Sequence, residues 1–583
     1  MRVKDEAPTA PRLRFTERMR GYFSTQVTRG FRAGWLRGRA DGSSIDCTLT
    51  IDFEDLRETL EHPDRPARVS GTVDAPRLSP YELTVEDGEF ILLERDDQRV
   101  ETWHMRYRMR LLARDGRHYR LDGLKVLHDR PGFDAWWDTT TLYTTISDGG
   151  GSPLGVGIMR IRLADFLRQL RTIRVRNVIE PGRREAYLLA FVWLFARSLL
   201  RIYGGPLDEA SRFPTLPSGP ECDQTPPPPP PAERALRLPA AESRWCDSTG
   251  GWHQGAEPGR DAWLRLTRYQ GGSKGPVVLA GGFGMSSSSF VTTTIAVNLP
   301  EYLVERDYDV WLFDYRASID LPSACGEFTV DDIATRDWPV AVSEVLRVTG
   351  AASVQALGHC VGSVSLLMAM LAGMPGVRSA VCAQFTTHLV NSPVNRVKAA
   401  LHLTEALHAF GTRRLAPNTR FDVPDVLLDL GLRALPMPSQ ERCGQAVCRW
   451  INAVYGCTHR HAQLNDATHQ ALNRMFGVGN IKSLEHLALM TRRGLAVDHL
   501  GRDVYLPHRE RLRLPILLLQ GERNYIFSPE GSARTLRWLQ NGCDPSLYTR
   551  AVLPGYAHLD AVVGRDAARD VYPLILEHLD ATA

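Results

Sequence analysis

Little separates the charges of this chain. Seventy Lys and Arg stand against sixty-seven Asp and Glu, leaving +3 over 583 residues. So small a surplus argues against a nucleic-acid partner, which a basic patch would announce. No apolar run reaches the length of about 20 residues that spans a bilayer. The most hydrophobic stretch, Glu185 to Leu200, is cut by Arg197. No apolar segment follows Met1-Arg-Val-Lys-Asp-Glu6, so a secretory signal is not expected. The first third holds no G-x-G-x-x-G dinucleotide fingerprint, and no cofactor is expected. Ten cysteines are scattered without the density of a disulfide framework, and a reducing cytoplasm is the expected setting. One tight group exists, Cys443, Cys448, Cys457, His459 and His461. Its C-x4-C and H-x-H spacings are not standard zinc spacings, so no metal is expected there.

What is present is a decamer, Val354-Gln-Ala-Leu-Gly-His-Cys-Val-Gly-Ser363, followed by the helix-like Val364-Ser-Leu-Leu-Met-Ala-Met370. A short apolar run, a G-x-C-x-G turn and a helix make the strand–elbow–helix layout of an α/β-hydrolase nucleophile, with Cys360 in the place of Ser. Gly358 and Gly362 let neighbouring backbone pass the sharp turn without a Cβ clash. The helix amino end favours a thiolate and, later, an oxyanion. A thiolate is intrinsically nucleophilic and leaves well, so Cys suits both hydrolysis and acyl transfer through a thioester. Cys360 is therefore expected to be the most reactive thiol.

The flanking pattern fits a parallel sheet covered by helices on both faces. Pro276 to Ala280 is a buried strand, and Gly281-Gly-Phe-Gly284 follows as the oxyanion loop. The backbone N–H groups of Phe283 and Val361 would hold the developing oxyanion. Strands are predicted over 308–314, 378–384 and 514–521, and a helix over 329–348 closing at Gly350. Residues 387–510 read as a helical cap. Asn524 stands three residues after Gly521, where the triad acid belongs, and His558 sits in a turn after a last strand. A helix over 566–580 closes the chain. A Cys nucleophile tolerates Asn, because a thiolate–imidazolium pair is preformed and the third residue need only orient the ring. The expected triad is Cys360, His558 and Asn524, with Glu522 and Asp560 as fallback orienting acids.

Two resemblances follow from these residues. The elbow Ala356-Leu-Gly-His-Cys-Val-Gly362 resembles the cysteine lipase box of polyhydroxyalkanoate synthases, which share the fold and transfer acyl groups from coenzyme A thioesters. A longer likeness runs through Leu264 to Tyr269, Tyr308 to Pro322, Met368 to Gly373, Val377 to Val381, Ser483 to Met490, Gly501 to His508 and Ala568 to Leu579. It resembles the α/β-hydrolases that accompany, or are fused to, cholesterol-oxidase-like glucose–methanol–choline flavoenzymes. Those relatives commonly carry His-Gly where this chain has Gly281-Gly282. The resemblance implies a lipid or sterol-related substrate and a flavin oxidase as partner.

The amino-terminal third alternates short β segments with turns and is expected to form a β-rich barrel or sandwich that binds a lipid, docks a partner or serves as scaffold. Thr48 to Leu56 and Met159 to Leu167 both read as strand then short helix, a weak duplication. The expected domains are a β-rich accessory domain over 1–178, an apolar helix and linker over 179–240, hydrolase core over 241–386 and 511–583, and the cap between. The linker carries six consecutive prolines, Pro226 to Pro231, which favour extended chain. The helix over 185–200, flanked by Arg183, Arg184, Arg197 and Arg201, is expected to pack, or else to make a peripheral membrane contact.

The expected function is hydrolysis of an ester, lactone or thioester. Acyl transfer through acyl-Cys360 and a non-catalytic role beside a flavoenzyme are the alternatives.

Overall fold

Inward and outward residues alternate along β1 (Arg12–Ser24): Leu13, Phe15, Glu17 and Met19 are buried, and the residues between them are more open. Such alternation makes a sheet with one packed face. Seven more antiparallel strands follow: β2 (Ser44–Phe53), β3 (Pro66–Asp74), β4 (Leu83–Arg95), β5 (Trp103–Leu112), β6 (His118–Leu127), β7 (Thr141–Asp148) and β8 (Pro153–Arg160). β1 pairs with β2 on one side, Leu13 opposite Phe53, and with β8 on the other, Arg20 opposite Arg160. The eight strands thus close into a barrel, and a short β9 (Arg174–Arg176) adds to the free half of β1. Closure leaves no long unpaired edge. Helices Leu56–Glu61 and Leu163–Thr172 follow β2 and β8, the two strands that flank β1.

This computed structural model describes residues 10–96, 102–127, 135–203, 234–255, 262–409, 411–415, 441, 443–477 and 479–583. The polyproline run lies outside them. Packing separates a unit built on residues 1–208 from one built on 209–441 and 445–583. The first runs beyond residue 178 because helix Pro181–Tyr203 lays Phe191 and Ile202 into the barrel core. The same helix leaves Leu189, Val192 and Trp193 exposed. Among the described residues, no helix is long and apolar enough to cross a membrane.

Lys125 Nζ lies 3.4 Å from Glu17 Oε2, and both residues are buried. They wall a cavity of about 470 Å³ lined also by Phe15, Phe90, Tyr107 and Phe195. Lys125→Met would strand the Glu17 charge there. It is expected to cost the barrel about 3–5 kcal/mol, whereas Lys125→Met with Glu17→Leu should recover most of it. Hydrogen exchange in the barrel strands of the full chain under urea checks both.

The second unit holds β10 (Ala241–Asp247), β11 (Trp252–Gln254), β12 (Ala262–Tyr269), β13 (Pro276–Ala280), β14 (Asp309–Asp314), β15 (Val354–His359) and β16 (Val377–Ala383). A two-residue ladder, β17 (Arg414–Leu415) with β18 (Gly479–Asn480), sits in the cap. β19 (Ile516–Gly521) and β20 (Tyr548–Leu553) complete the main sheet. Its order is β11-β10-β12-β14-β13-β15-β16-β19-β20, parallel from β14 to β20. Every residue of β13, β14, β15 and β19 is buried, as strands covered on both faces require. This is the α/β-hydrolase fold.

The helix expected over 329–348 is interrupted. A capping box at Thr329 starts it, Ile333–Asp337 forms a π turn, and Trp338–Thr349 runs on to Gly350 at φ 67°. Pro339 has no N–H to give the preceding turn, and the wider turn absorbs the loss.

Candidate active site

Four parallel strands deliver the site from their carboxyl ends, where ligands bind in open α/β sheets. β13 leads into Gly281 to Gly284, β15 into Cys360, β19 into Asn524 and β20 into His558. Cys360 takes φ 56° and ψ −124°, a left-handed strain at the start of helix Val361–Leu371. A Cβ on Gly358 would strike the carbonyl of Gly362, and one on Gly362 would strike those of Ala280 and Gly281. At Gly281 a Cβ would meet nothing nearer than 3.7 Å, so a side chain has room there.

The backbone N–H groups of Phe283 and Val361 lie near enough to Cys360 Sγ to favour its thiolate. They hold the thiol's pKa down, but desolvation is the larger effect and pushes it up to about 11. His558 is driven well below the ordinary imidazole range, first by burial and then by neighbouring His359. The resting pair is therefore thiol and neutral imidazole, not the expected thiolate and imidazolium. His558 Nε2 is buried and has no hydrogen-bond partner, so no such bond joins it to Cys360. Catalytic bonds often close only around substrate.

The low reactivity this implies has a direct reading. At pH 7 little of Cys360 would be thiolate. Iodoacetamide is expected to label Cys360 slowly at neutral pH, at a rate that climbs about tenfold per pH unit up to pH 9.5. Peptide mapping at several pH values checks this; a plateau below pH 8 would mean an acidic thiol.

Asn524 touches His558, its Nδ2 lying 3.1 Å from His558 Nδ1. Which way the amide points follows from its other bonds. Oδ1 accepts from the N–H groups of Ile526 and Phe527, each at 3.0 Å. Nδ2 donates to Gln384 Oε1 at 3.0 Å, and that oxygen also receives the Gly521 N–H at 2.9 Å. Turning the amide over would set its oxygen against the Gln384 oxygen and leave two N–H groups without an acceptor. Asn524 therefore donates to Nδ1, and neutral His558 carries its proton on Nε2. Asn524 does fix the tautomer, in the sense opposite to the one a base at Nε2 needs.

The fallback acids serve other groups. Glu522 accepts the Gly555 N–H at 2.9 Å, and Asp560 accepts the Ala557 N–H at 3.0 Å, bracing the turn before His558. Burial raises the Asp560 carboxyl to about 7.

Several neighbours escaped the sequence reading. Gln384 follows β16 at φ 71° and anchors Asn524. His359 donates from Nε2 to the His558 carbonyl at 2.9 Å. The Thr458 carbonyl accepts from the N–H groups of His558 and Leu559, at 3.2 and 2.6 Å. Tyr455, ending cap helix Ala446–Tyr455, buries a hydroxyl without a hydrogen-bond partner, and a Cβ on Gly284 would collide with it. Only Gln384, directly after an apolar strand, stood where sequence could have flagged it.

Among the described residues, Cys325 is disulfide-bonded. Cys443, Cys448 and His461, from the group noted in the sequence, come together with His469. His459 lies beside them, its Nε2 3.5 Å from Cys448 Sγ.

No protein-family model matches the chain. It is similar to a probable lipase of Schizosaccharomyces pombe, 23% identical over 323 residues, covering 49% of this chain and 67% of that protein. Similar solved structures include a monoacylglycerol lipase of Paleococcus ferrophilus, with 16% identity, TM-score 0.35, and 55% of this chain and 99% of that one covered. Another is a soluble variant of the monoglyceride lipase of Saccharomyces cerevisiae, with 13% identity, TM-score 0.38, and coverage of 60% and 98%. The fold rests on the strand order, not on these likenesses.

Proposed function

We propose that this chain is an acyl hydrolase acting on ester, lactone or thioester bonds of apolar substrates through an acyl-Cys360 intermediate. The observation that carries the reading is the pair of backbone donors, Phe283 and Val361, converging on a strained Cys360 at a helix amino end. A carbonyl carbon bonded to Sγ would present its oxygen to those donors. Similarity to a probable lipase adds weight to an ester-type substrate.

In this reading Sγ attacks the carbonyl carbon as its proton passes to His558 Nε2. The tetrahedral oxyanion is held by the two N–H groups. It collapses by breaking the bond to the leaving oxygen or sulfur, which takes the proton from His558. Water, deprotonated by the same nitrogen, then cleaves the thioester. Nε2 can accept only after the ring moves its proton to Nδ1, against Asn524. We therefore read the enzyme as slow. An acyl acceptor other than water would make the same intermediate a transferase. The sterol-related substrate and flavoenzyme partner implied by the sequence resemblance belong to this proposal, as does a membrane contact through Leu189, Val192 and Trp193.

A second reading has its own observation. With its proton on Nε2, His558 takes none from Cys360, and the pocket would bind an acyl group without turning it over, as a docking partner would. A panel of p-nitrophenyl esters and acyl-coenzyme A thioesters from acetyl to long-chain separates the two. The hydrolase reading expects turnover that is faster for apolar acyl chains than for acetyl. No product release from any donor would leave the docking reading.

A further inference from the structure

Behind His558 the cap gathers four buried side chains from three elements and the segment before them. Cys448 comes from helix Ala446–Tyr455, His461 from the turn His461–Gln463, and His469 from helix Asp466–Met475. Cys443 precedes the first helix by three residues. One ligand atom from each of the four lies within 4.8 Å of the others.

Buried cysteine and histidine are ordinary core residues when each packs alone. Here the donors gather within 4.8 Å of one another, and one edge has the length a coordination shell requires. Cys448 Sγ is 3.5 Å from His461 Nε2. With Zn–S of about 2.3 Å and Zn–N of about 2.0–2.1 Å at a tetrahedral angle, the expected S···N edge is about 3.6 Å. The surrounding bonds prepare the ligands. His461 Nδ1 is 3.1 Å from Glu441 Oε2, so the carboxylate holds the ring proton on Nδ1 and the unprotonated Nε2 faces Cys448 Sγ. Asn452 Nδ2 donates to Cys448 Sγ at 3.4 Å, a contact that suits a thiolate.

We propose that Cys443, Cys448, His461 and His469 bind one zinc ion as a closed structural site. Two thiolates and two imidazoles are the donors zinc takes, and they are poor ligands for magnesium or calcium. Two thiolates also neutralise the ion, as a buried site requires. The spacing C-x4-C-x12-H-x7-H departs from the common zinc patterns, which is why the sequence alone argued against a metal. His459 is the near neighbour left outside the set; its Nδ1 is 2.9 Å from Thr458 Oγ1. The site's place in the fold gives the ion a task. The Thr458 carbonyl, three residues before His461, receives the His558 and Leu559 N–H groups. Zinc would pin the loop that seats His558.

The test uses the full chain with any affinity tag removed. Native mass spectrometry and elemental analysis should find one zinc per chain as purified. Cobalt(II) exchanged into the chain should give the intense d–d absorption of a tetrahedral thiolate site. Cys448→Ser and His469→Ala should lose most of the zinc, while Cys457→Ser and His459→Gln should keep it. The wild-type measurement stands even where a variant fails to fold. A wild-type chain that is zinc-free, takes up none when reduced and supplied with zinc, and shows no cobalt thiolate spectrum overturns the proposal. Equal loss of zinc from His459→Gln and His469→Ala overturns the four-residue assignment.

Discussion

Asn524→Asp is expected to raise ester turnover by about tenfold or more, within the range a correctly positioned acid–base group supplies. The carboxylate would still accept from the N–H groups of Ile526 and Phe527. Its second oxygen would face His558 Nδ1, where an amide donor now stands 3.1 Å away. An acceptor there places the ring proton on Nδ1 and frees Nε2 to take the thiol proton. The change also sets an oxygen against Gln384 Oε1, but Gln384 Nε2 is buried without a partner and can turn to meet it. That turn takes the acceptor from the Gly521 N–H, a cost of about 1–3 kcal/mol in stability. The expected signature is a higher kcat with a lower melting temperature. Steady-state kinetics on a medium-chain p-nitrophenyl ester, beside a thermal scan, reads both. An unchanged or lower kcat in a folded variant would mean that the His558 tautomer does not limit the reaction.

The second large effect is covalent. Mixing the protein with an activated medium-chain ester and quenching rapidly should add the acyl mass to the peptide that holds Cys360. Cys360→Ala should abolish the adduct and lower turnover by about 10³-fold or more, as loss of a nucleophile does. Cys360→Ser should keep weak acylation, because a hydroxyl is far harder to deprotonate than a thiol. Slow deacylation favours detection, since the water must wait on the same reluctant Nε2. If no ester or thioester ever labels the chain, the acyl-enzyme falls and the docking reading takes its place.

The parts of this molecule written in local pattern were legible in the sequence. The elbow is a dense signal: an apolar run, two glycines that no Cβ could replace, and a helix. The alternation of strands and helices followed from runs and turns at regular spacing; the strand order did not. Counting from Gly521 and from the last strand singled out Asn524 and His558, whose side chains lie 3.1 Å apart. What the sequence did not carry was the direction of a single amide. That depends on Gln384, 140 residues from Asn524, and on two N–H groups in the next turn. The thiol's reluctance to ionise was equally hidden, because desolvation is a property of the packed cap and not of the G-x-C-x-G motif. His469 was missed for a plain reason: it lies seven residues beyond His461 in a helix whose pattern reads as ordinary amphipathic sequence. For the amino-terminal third the alternation gave strands but could not choose barrel from sandwich. That choice is made by β1 pairing on both of its edges.

The same double pairing sets the order of events on the ribosome. Ser24 ends β1, and Arg160 ends the strand that must close against it. At about 5–20 residues per second, roughly 7–27 s pass between the synthesis of these two residues. Through that interval β1 has one partner and one bare edge, a template for pairing with a neighbouring chain. A ribosome stalled before residue 160 therefore leaves behind an open, adhesive sheet, and a holdase that covers it would raise the yield of the whole protein.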